Sequence, residues 1–92
     1  MYHLYIVLCD KEAFFYTGVT QDLDKRIKEH QSGFSPHTKR YKIVELVHSE
    51  SFGKRSQAEE RELQIKGWSR EKKKALINGD LNRLRELSRN KS

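Results

Sequence analysis

The chain opens on a strand-like run. From Tyr2 to Leu8, Tyr, Leu, Ile and Val crowd together before a polar turn at Asp10-Lys11-Glu12, the composition that suits a pleated, half-buried surface. Ala13 to Thr17 (AFFYT) is a second β-type run, stopped by Gly18, and the short gap predicts an antiparallel hairpin. The period then becomes helical. Asp22 is a good N-cap, Leu23, Ile27 and His30 recur at helical spacing, and Gly33 closes the helix. Phe34 to Arg40 reads as a loop that holds the only proline, Pro36, with His37, Lys39 and Arg40. Tyr41 to His48 (YKIVELVH) reads as a third strand.

Ser56 and Glu59 form an S-x-x-E capping box, which predicts a second helix through about Gly67. Ser69 caps a third through Lys72, Ala75, Leu76 and Ile77, closed by Asn78-Gly79. Asp80 opens a last one with Leu81, Leu84 and Leu87 on one face, and Ser88 to Ser92 read as a frayed tail. The order β-β-α-β-α-α-α predicts an α+β fold, a small three-stranded antiparallel or mixed sheet with helices packed on it. A single domain over residues 1–87 is expected.

Two helices carry side chains that conflict with their own apolar faces. Stepping 100° per residue along the second helix puts Ala58, Glu62, Leu63 and Ile65 on one arc and Glu60, Arg61 and Gln64 on the other. Glu62 thus lies inside the apolar stripe, where a carboxylate is costly unless it meets a cation, a metal or donors. It could also sit at the stripe edge, reaching solvent or pairing with a lysine. In the first helix His30 shares the face of Leu23 and Ile27, and Arg26 stands one turn before it. A guanidinium, an imidazole and a carboxylate are the groups that phosphodiester cleavage could use.

Charge points the same way. The chain has 19 Lys and Arg against 13 Asp and Glu, and a net +6 on 92 residues favours a polyanionic partner. A single cysteine, Cys9, excludes an intrachain disulfide and reads as a buried small side chain. No apolar stretch approaches the roughly 20 residues that span a membrane, and the N-terminus lacks a basic leader and a cleavage site. A cytoplasmic location is expected. Trp68 reads as a core anchor between helices, and Lys72, Lys73 and Lys74 as a solvated face. There is no Cys/His set for zinc, no phosphate-binding glycine loop and no nucleophilic serine motif.

Tyr5 and Tyr16 stand eleven residues apart, and Tyr16-Thr17-Gly18 is followed by an eight-residue run ending at Arg26. Together with the later A-x-x-x-E-x-x-I-K over Ala58 to Lys66, this arrangement resembles the GIY-YIG nuclease superfamily. It is most similar to the small, single-domain branch related to the nuclease domain of the bacterial excision-repair C subunit. The resemblance runs through residues 2–78 and leaves out the final helix. The first-motif glycine and isoleucine are His3 and Leu4 here, and the second motif reads Tyr-Thr-Gly; both tyrosines stand.

The resemblance implies a metal-dependent endonuclease acting on nucleic acid, DNA above all, with a single Mg²⁺ or Mn²⁺. Its catalytic residues would be Tyr5, Tyr16, Arg26, His30 and Glu62: the tyrosines beside the attacking water, Arg26 on phosphate charge, Glu62 on the metal. Gly18, Lys39, Arg40 and Lys66 would face the substrate, and a partner protein could supply targeting. The tyrosines also have an ordinary reading, as aromatic pairing on a hairpin face. The alternative function is a basic nucleic-acid-binding module that keeps the scaffold and cuts nothing.

Overall fold

The computed structural model describes residues 1–10, 14–32 and 44–89. Gly33, the loop carrying Lys39 and Arg40, and the expected start of the third strand at 41–43 lie outside these residues. β1 (Tyr2–Cys9) is the central strand of an antiparallel sheet with order β2-β1-β3. A strand covered on both faces has no polar side, which is why its sequence is a run of apolar residues rather than an alternation. Leu4, Ile6 and Val7 are fully buried and Tyr5 is 2% exposed. Each such aliphatic contributes roughly 1.5–3 kcal/mol relative to exposure.

The two faces of β1 divide the core. Tyr5, Val7 and Cys9 join Val44, and Tyr16, Leu23 and Ile27 pack against them under helix α1 (Leu23–Gln31). Leu4 and Ile6 join Ile65 on the opposite face, with Phe15, Phe52, Trp68, Leu76 and Ile77 around them. That face is covered by α2 (Arg55–Lys66) and α3 (Arg70–Ile77), and α4 (Leu81–Arg89) packs on α3. Trp68 is a core anchor, with the Arg61 guanidinium 5.1 Å and the Lys72 ammonium 4.6 Å from its ring centre. The fold class and element order follow the sequence reading.

The caps at Asp22, Ser69 and Asp80 form as expected. Each side chain accepts a backbone N–H three residues on, from Lys25 (3.1 Å), Lys72 (3.2 Å) and Arg83 (3.1 Å). Gly79 takes the left-handed conformation after α3, at φ +70°.

Other expectations are corrected. The capping box at Ser56 does not form: α2 begins at Arg55 behind Lys54, which makes no side-chain cap, and Glu59 accepts instead from Arg55 at 3.1 Å. Starting earlier makes this i,i+4 pair available, and Ser56 then lies inside the first turn. Leu63 and Leu81 are exposed, at 70% and 61%, so neither belongs to a core stripe. α4 continues through Ser88, whose hydroxyl donates to the Leu84 carbonyl at 2.9 Å, to Arg89.

β3 (Val44–Phe52) extends four residues past the expected end at His48, because Tyr2 to Tyr5 of β1 offer it a ladder that outweighs the poor strand propensity of Ser49, Glu50 and Ser51. The bulge between Ile6 and Val7 gives β3 one extra residue. Glu50 then ties β3 to α2, accepting from Arg61 at 2.9 and 3.2 Å and pairing with His48 at 2.8 Å. Burial alone would raise the Glu50 pKa, but the hydrogen bonds from Arg61 and His48 outweigh it and hold the carboxyl below its usual range.

Candidate functional site

The site begins with a missing side chain. β2 (Phe14–Thr20) does not stop at Gly18 but runs through it, and Gly18 stands directly across from Tyr5 in the β1–β2 ladder. The Tyr5 ring folds over the strand at that point. A Cβ on Gly18 would lie 2.6 Å from the Tyr5 Oη and 2.7 Å from its Cζ, closer than real contacts allow. Any other residue would displace the phenol. The glycine therefore makes room for Tyr5 itself, rather than punctuating the strand.

Beneath the phenol lies His30, 1% exposed, with its Nε2 2.9 Å from the Tyr5 Oη. The Tyr16 ring closes the cluster, its centre 5.2 Å from the imidazole and 6.3 Å from Tyr5. Burial raises the Tyr5 pKa well above the ordinary phenol value. Charge on Tyr16, Glu62 and Glu29 adds to the rise, and Arg26 opposes it. Tyr5 is therefore a neutral phenol at physiological pH, and both Arg26 and Glu62 act on it electrostatically. The apolar face of α1 explains the histidine: Leu23 and Ile27 fix the helix on the sheet, and the next turn delivers His30 under the tyrosines. Arg26 stays at the edge, 42% exposed in its side chain and 3.5 Å from Glu29.

Glu62 arrives from the other side of the sheet. On α2, Ala58 and Ile65 are fully buried and Glu62 lies on the seam between them, its side chain 21% exposed and 3.2 Å from the Lys66 ammonium. The lysine pairing left open by the sequence does occur. Even so, Glu62 lines the same cleft as Tyr5, Tyr16, Gly18 and Arg26, a cavity of about 440 Å³ at the edge strand β2. α1 and α2 pack on opposite faces of the sheet, yet both reach this cleft, which wraps around β2 beside Gly18. Polar side chains from two helices thus meet at one edge.

A model of the GIY-YIG catalytic domain matches residues 1–75. The chain belongs to the GIY-YIG family. A UPF0213 protein of Haloquadratum walsbyi is 43% identical over 76 residues, 82% of this chain and 84% of that one. A UPF0213 protein of Staphylococcus saprophyticus is 43% identical over 77 residues, 83% of this chain and 93% of its own length. The solution NMR structure of a UPF0213 protein from Bacillus halodurans superposes with a TM-score of 0.54 at 36% identity, covering 85% of this chain and 84% of that one. The GIY-YIG match ends at α3, so α4 stands outside it. Among the described residues, no helix is long and apolar enough to cross a membrane.

Of the residues the sequence singled out, the structure gathers Tyr5, Tyr16, Gly18, Arg26 and Glu62 on the cleft wall. His30 does not line the cleft; it supports Tyr5 from below. Lys66 is not on the wall either, and reaches the site through Glu62. Lys39, Arg40 and His37 lie outside the described residues. The sequence reading missed Arg55 and Glu59, which line the cleft with Glu62. Helical spacing carried that signal, since Arg55, Glu59 and Glu62 are separated by four and three residues; assigning Glu59 to a capping box hid it.

Proposed function

We propose that this protein is a divalent-metal-dependent endonuclease that hydrolyses phosphodiester bonds of nucleic acid, with DNA as substrate, in DNA processing such as repair or recombination. The observation that carries this reading is the convergence of two tyrosines, an arginine and a carboxylate from opposite sheet faces on one cleft. The GIY-YIG membership supports the nuclease class.

Each residue has a chemical part. Tyr5, neutral and fixed on His30, accepts a hydrogen bond from the attacking water while its own proton faces the imidazole. In the tautomer whose Nε2 accepts from the Tyr5 hydroxyl, the water proton has a path to Tyr5 and the Tyr5 proton a path to the His30 imidazole. Tyr16 shapes the water's approach from the same wall. Arg26 offsets the charge that builds on the phosphorus-bound oxygens. Arg55 can bind the flanking phosphate.

The donors suit a hard cation. Among the described residues no group of three or more His, Cys, Asp or Glu forms a closed metal cage. Mg²⁺ commonly takes only one or two carboxylates and completes its shell with water and substrate phosphate. Glu62, with Glu59 on the same wall, offers that set. A cation held there would stabilise charge on the leaving oxygen, and Lys66 would be displaced from Glu62.

The test is cleavage of plasmid, duplex, branched and single-stranded substrates with Mg²⁺ or Mn²⁺, by wild type and Glu62→Gln. Metal-stimulated cutting that Glu62→Gln lacks is expected; equal cutting by both overturns the assignment of Glu62. The Lys66–Glu62 ion pair favours a second reading, in which the carboxylate is neutralised in cis and the protein binds nucleic acid without cutting it. Salt-dependent binding with no metal-stimulated cleavage on any of these substrates would establish that reading instead.

A further inference from the structure

The charges that α2 brings to the cleft form an ordered stripe. At 100° per residue, Arg55, Glu59, Glu62 and Lys66 fall within about 60° of one another. The first three line the cleft, and Lys66 joins them through Glu62 at 3.2 Å. Along about 16 Å of helix the order is cation, carboxylate, carboxylate, cation. Two i,i+4 ion pairs close it, Arg55 on Glu59 at 3.1 Å and Lys66 on Glu62. The stripe therefore carries no net charge, although it borders a cleft read as holding a polyanion.

Helix stability does not account for this order. Glu59 and Glu62 are neighbours at i,i+3, where like charges repel. Arg55 lies in the first turn, where the helix dipole disfavours a cation, and that turn contains no acid. Its side chain is 71% exposed, so packing is not the reason either. Only Lys66 sits where a helix favours it, in the last turn and C-terminal to its glutamate. Two adjacent carboxylates that a divalent cation can use, with one monovalent counter-ion at each end, account for all four positions.

We infer that Lys66 and Arg55 are exchangeable counter-ions: they neutralise Glu62 and Glu59 until these carboxylates take a divalent cation, and are then released to nucleic-acid phosphates at the cleft. This rests on the nuclease reading for the metal and the substrate, and adds a coupling between the two. Exposed i,i+4 pairs are weak, so Glu62 and Glu59 give up their partners at little cost. The freed ammonium and guanidinium then position a backbone without reading its bases. The coupling is reciprocal, so nucleic acid raises the affinity for metal as metal raises the affinity for nucleic acid. Lys66 and Arg55 are thus positioning residues that grip the backbone when the carboxylates are loaded.

The experiment is fluorescence anisotropy of a labelled DNA duplex in EDTA across a salt series. Glu62→Gln frees Lys66 without metal, whereas Glu60→Gln removes the same charge from an exposed position on the opposite side of α2. Glu62→Gln is expected to bind DNA about five-fold more tightly than wild type at low salt and to steepen the slope of log K against log salt by about 1, one added phosphate contact. Glu60→Gln should change affinity less than about two-fold and leave the slope alone. Glu62→Gln/Lys66→Gln should return the slope to that of wild type. Glu59→Gln should repeat the gain through Arg55, and Glu59→Gln/Arg55→Gln should cancel it. Circular dichroism melting checks that each variant is folded. Mn²⁺ titrated into the proteins without DNA, followed by electron paramagnetic resonance, should bind Lys66→Gln at least about two-fold more tightly than wild type, because its competitor is gone. Either glutamine variant gaining no more than Glu60→Gln, or keeping its gain once its cation is removed, would overturn the exchange while leaving the nuclease reading intact, and so would unchanged Mn²⁺ affinity. The expected exchange in a protein that cuts no substrate with Mg²⁺ or Mn²⁺ would refute the nuclease reading alone. Failure of every variant to bind DNA at low salt would overturn both.

Discussion

Replacing Gly18 with Ala tests the core of the site with one methyl group. In a strand, Gly→Ala normally stabilises by about 0.4–1 kcal/mol, since the unfolded chain loses freedom. Here the new Cβ would sit 2.6 to 3.1 Å from three atoms of the Tyr5 ring. The ring cannot swing aside cheaply: it is 2% exposed and its hydroxyl is held at 2.9 Å by buried His30. Overpacking of this kind costs about 1–3 kcal/mol, which exceeds the intrinsic gain. For so small a domain that is a fall in melting temperature of about 5–20 °C.

Gly53 supplies the internal control, because a Cβ there meets nothing within 4 Å; Gly53→Ala should be neutral or slightly stabilising. The assay is thermal melting of Gly18→Ala in wild type and in a Tyr5→Leu background, with plasmid cleavage alongside. Tyr5→Leu removes the atoms that clash, so the cost of Gly18→Ala should shrink there by at least about 1 kcal/mol, the coupling expected of residues in contact. Cleavage by Gly18→Ala should be lost, since the phenol or the edge strand must move. A Gly18→Ala protein that melts within about 2 °C of wild type, cleaves as well, and shows no coupling to Tyr5 refutes the reasoning.

Other consequences follow from the same contacts. Tyr5→Phe keeps the ring but leaves the buried His30 Nε2 without its hydroxyl, so stability should fall by about 1–3 kcal/mol in denaturant titrations and cleavage should fall further. Because Tyr5's folded pKa is raised, its contribution is present below the ordinary phenol value of about 10 and lost as pH rises above it. Wild type should therefore lose stability in that alkaline range and Tyr5→Phe should lose less, as read by melting against pH. Glu50, whose folded pKa is lowered, contributes above the ordinary carboxylate value and loses its contribution as pH falls below it. Glu50→Gln should destabilise at neutral pH and flatten the acid limb of the profile. Glu62→Gln disrupts only a pair whose lysine is half-exposed, so its melting temperature should stay within about 5 °C of wild type, the range of a weak ion pair.

Much of this was legible because local and tertiary preferences agree. The apolar run of β1, the caps at Asp22, Ser69 and Asp80, and the Leu23–Ile27–His30 face each appear as the sequence implies. Reading failed where a tertiary partner outweighed a local signal. Gly18 looks like a strand stop until the Tyr5 ring occupies its missing Cβ. Ser49 to Phe52 fall beyond the expected strand end at His48 until β1 offers them a ladder. Leu63 looks like core on a helical wheel, but the sheet meets α2 along Ala58 and Ile65 only. A wheel gives the angle between residues and not the width of the surface that the helix covers.

The wheel also cannot say that α1 and α2 lie on opposite sides of the sheet, and that placement decides how the site is held together. Groups on opposite faces are ordinarily kept apart by the strand layer. At Gly18 the layer is thinned to backbone on an edge strand, and the Tyr5 ring fills the gap, within electrostatic reach of Arg26 and Glu62. The arrangement depends on register, because Tyr5 meets Gly18 only while His3 pairs with Thr20 and Cys9 with Phe14. A slip of one residue would turn Tyr5 toward α2 and place Leu4 or Ile6 over the cleft. The ladder between β1 and β2 is continuous over these seven pairs, whereas the ladder to β3 carries the bulge. Irregularity is thus confined to the strand that bears no cleft residue, and the regular ladder lies where a shift of one residue would dismantle the site.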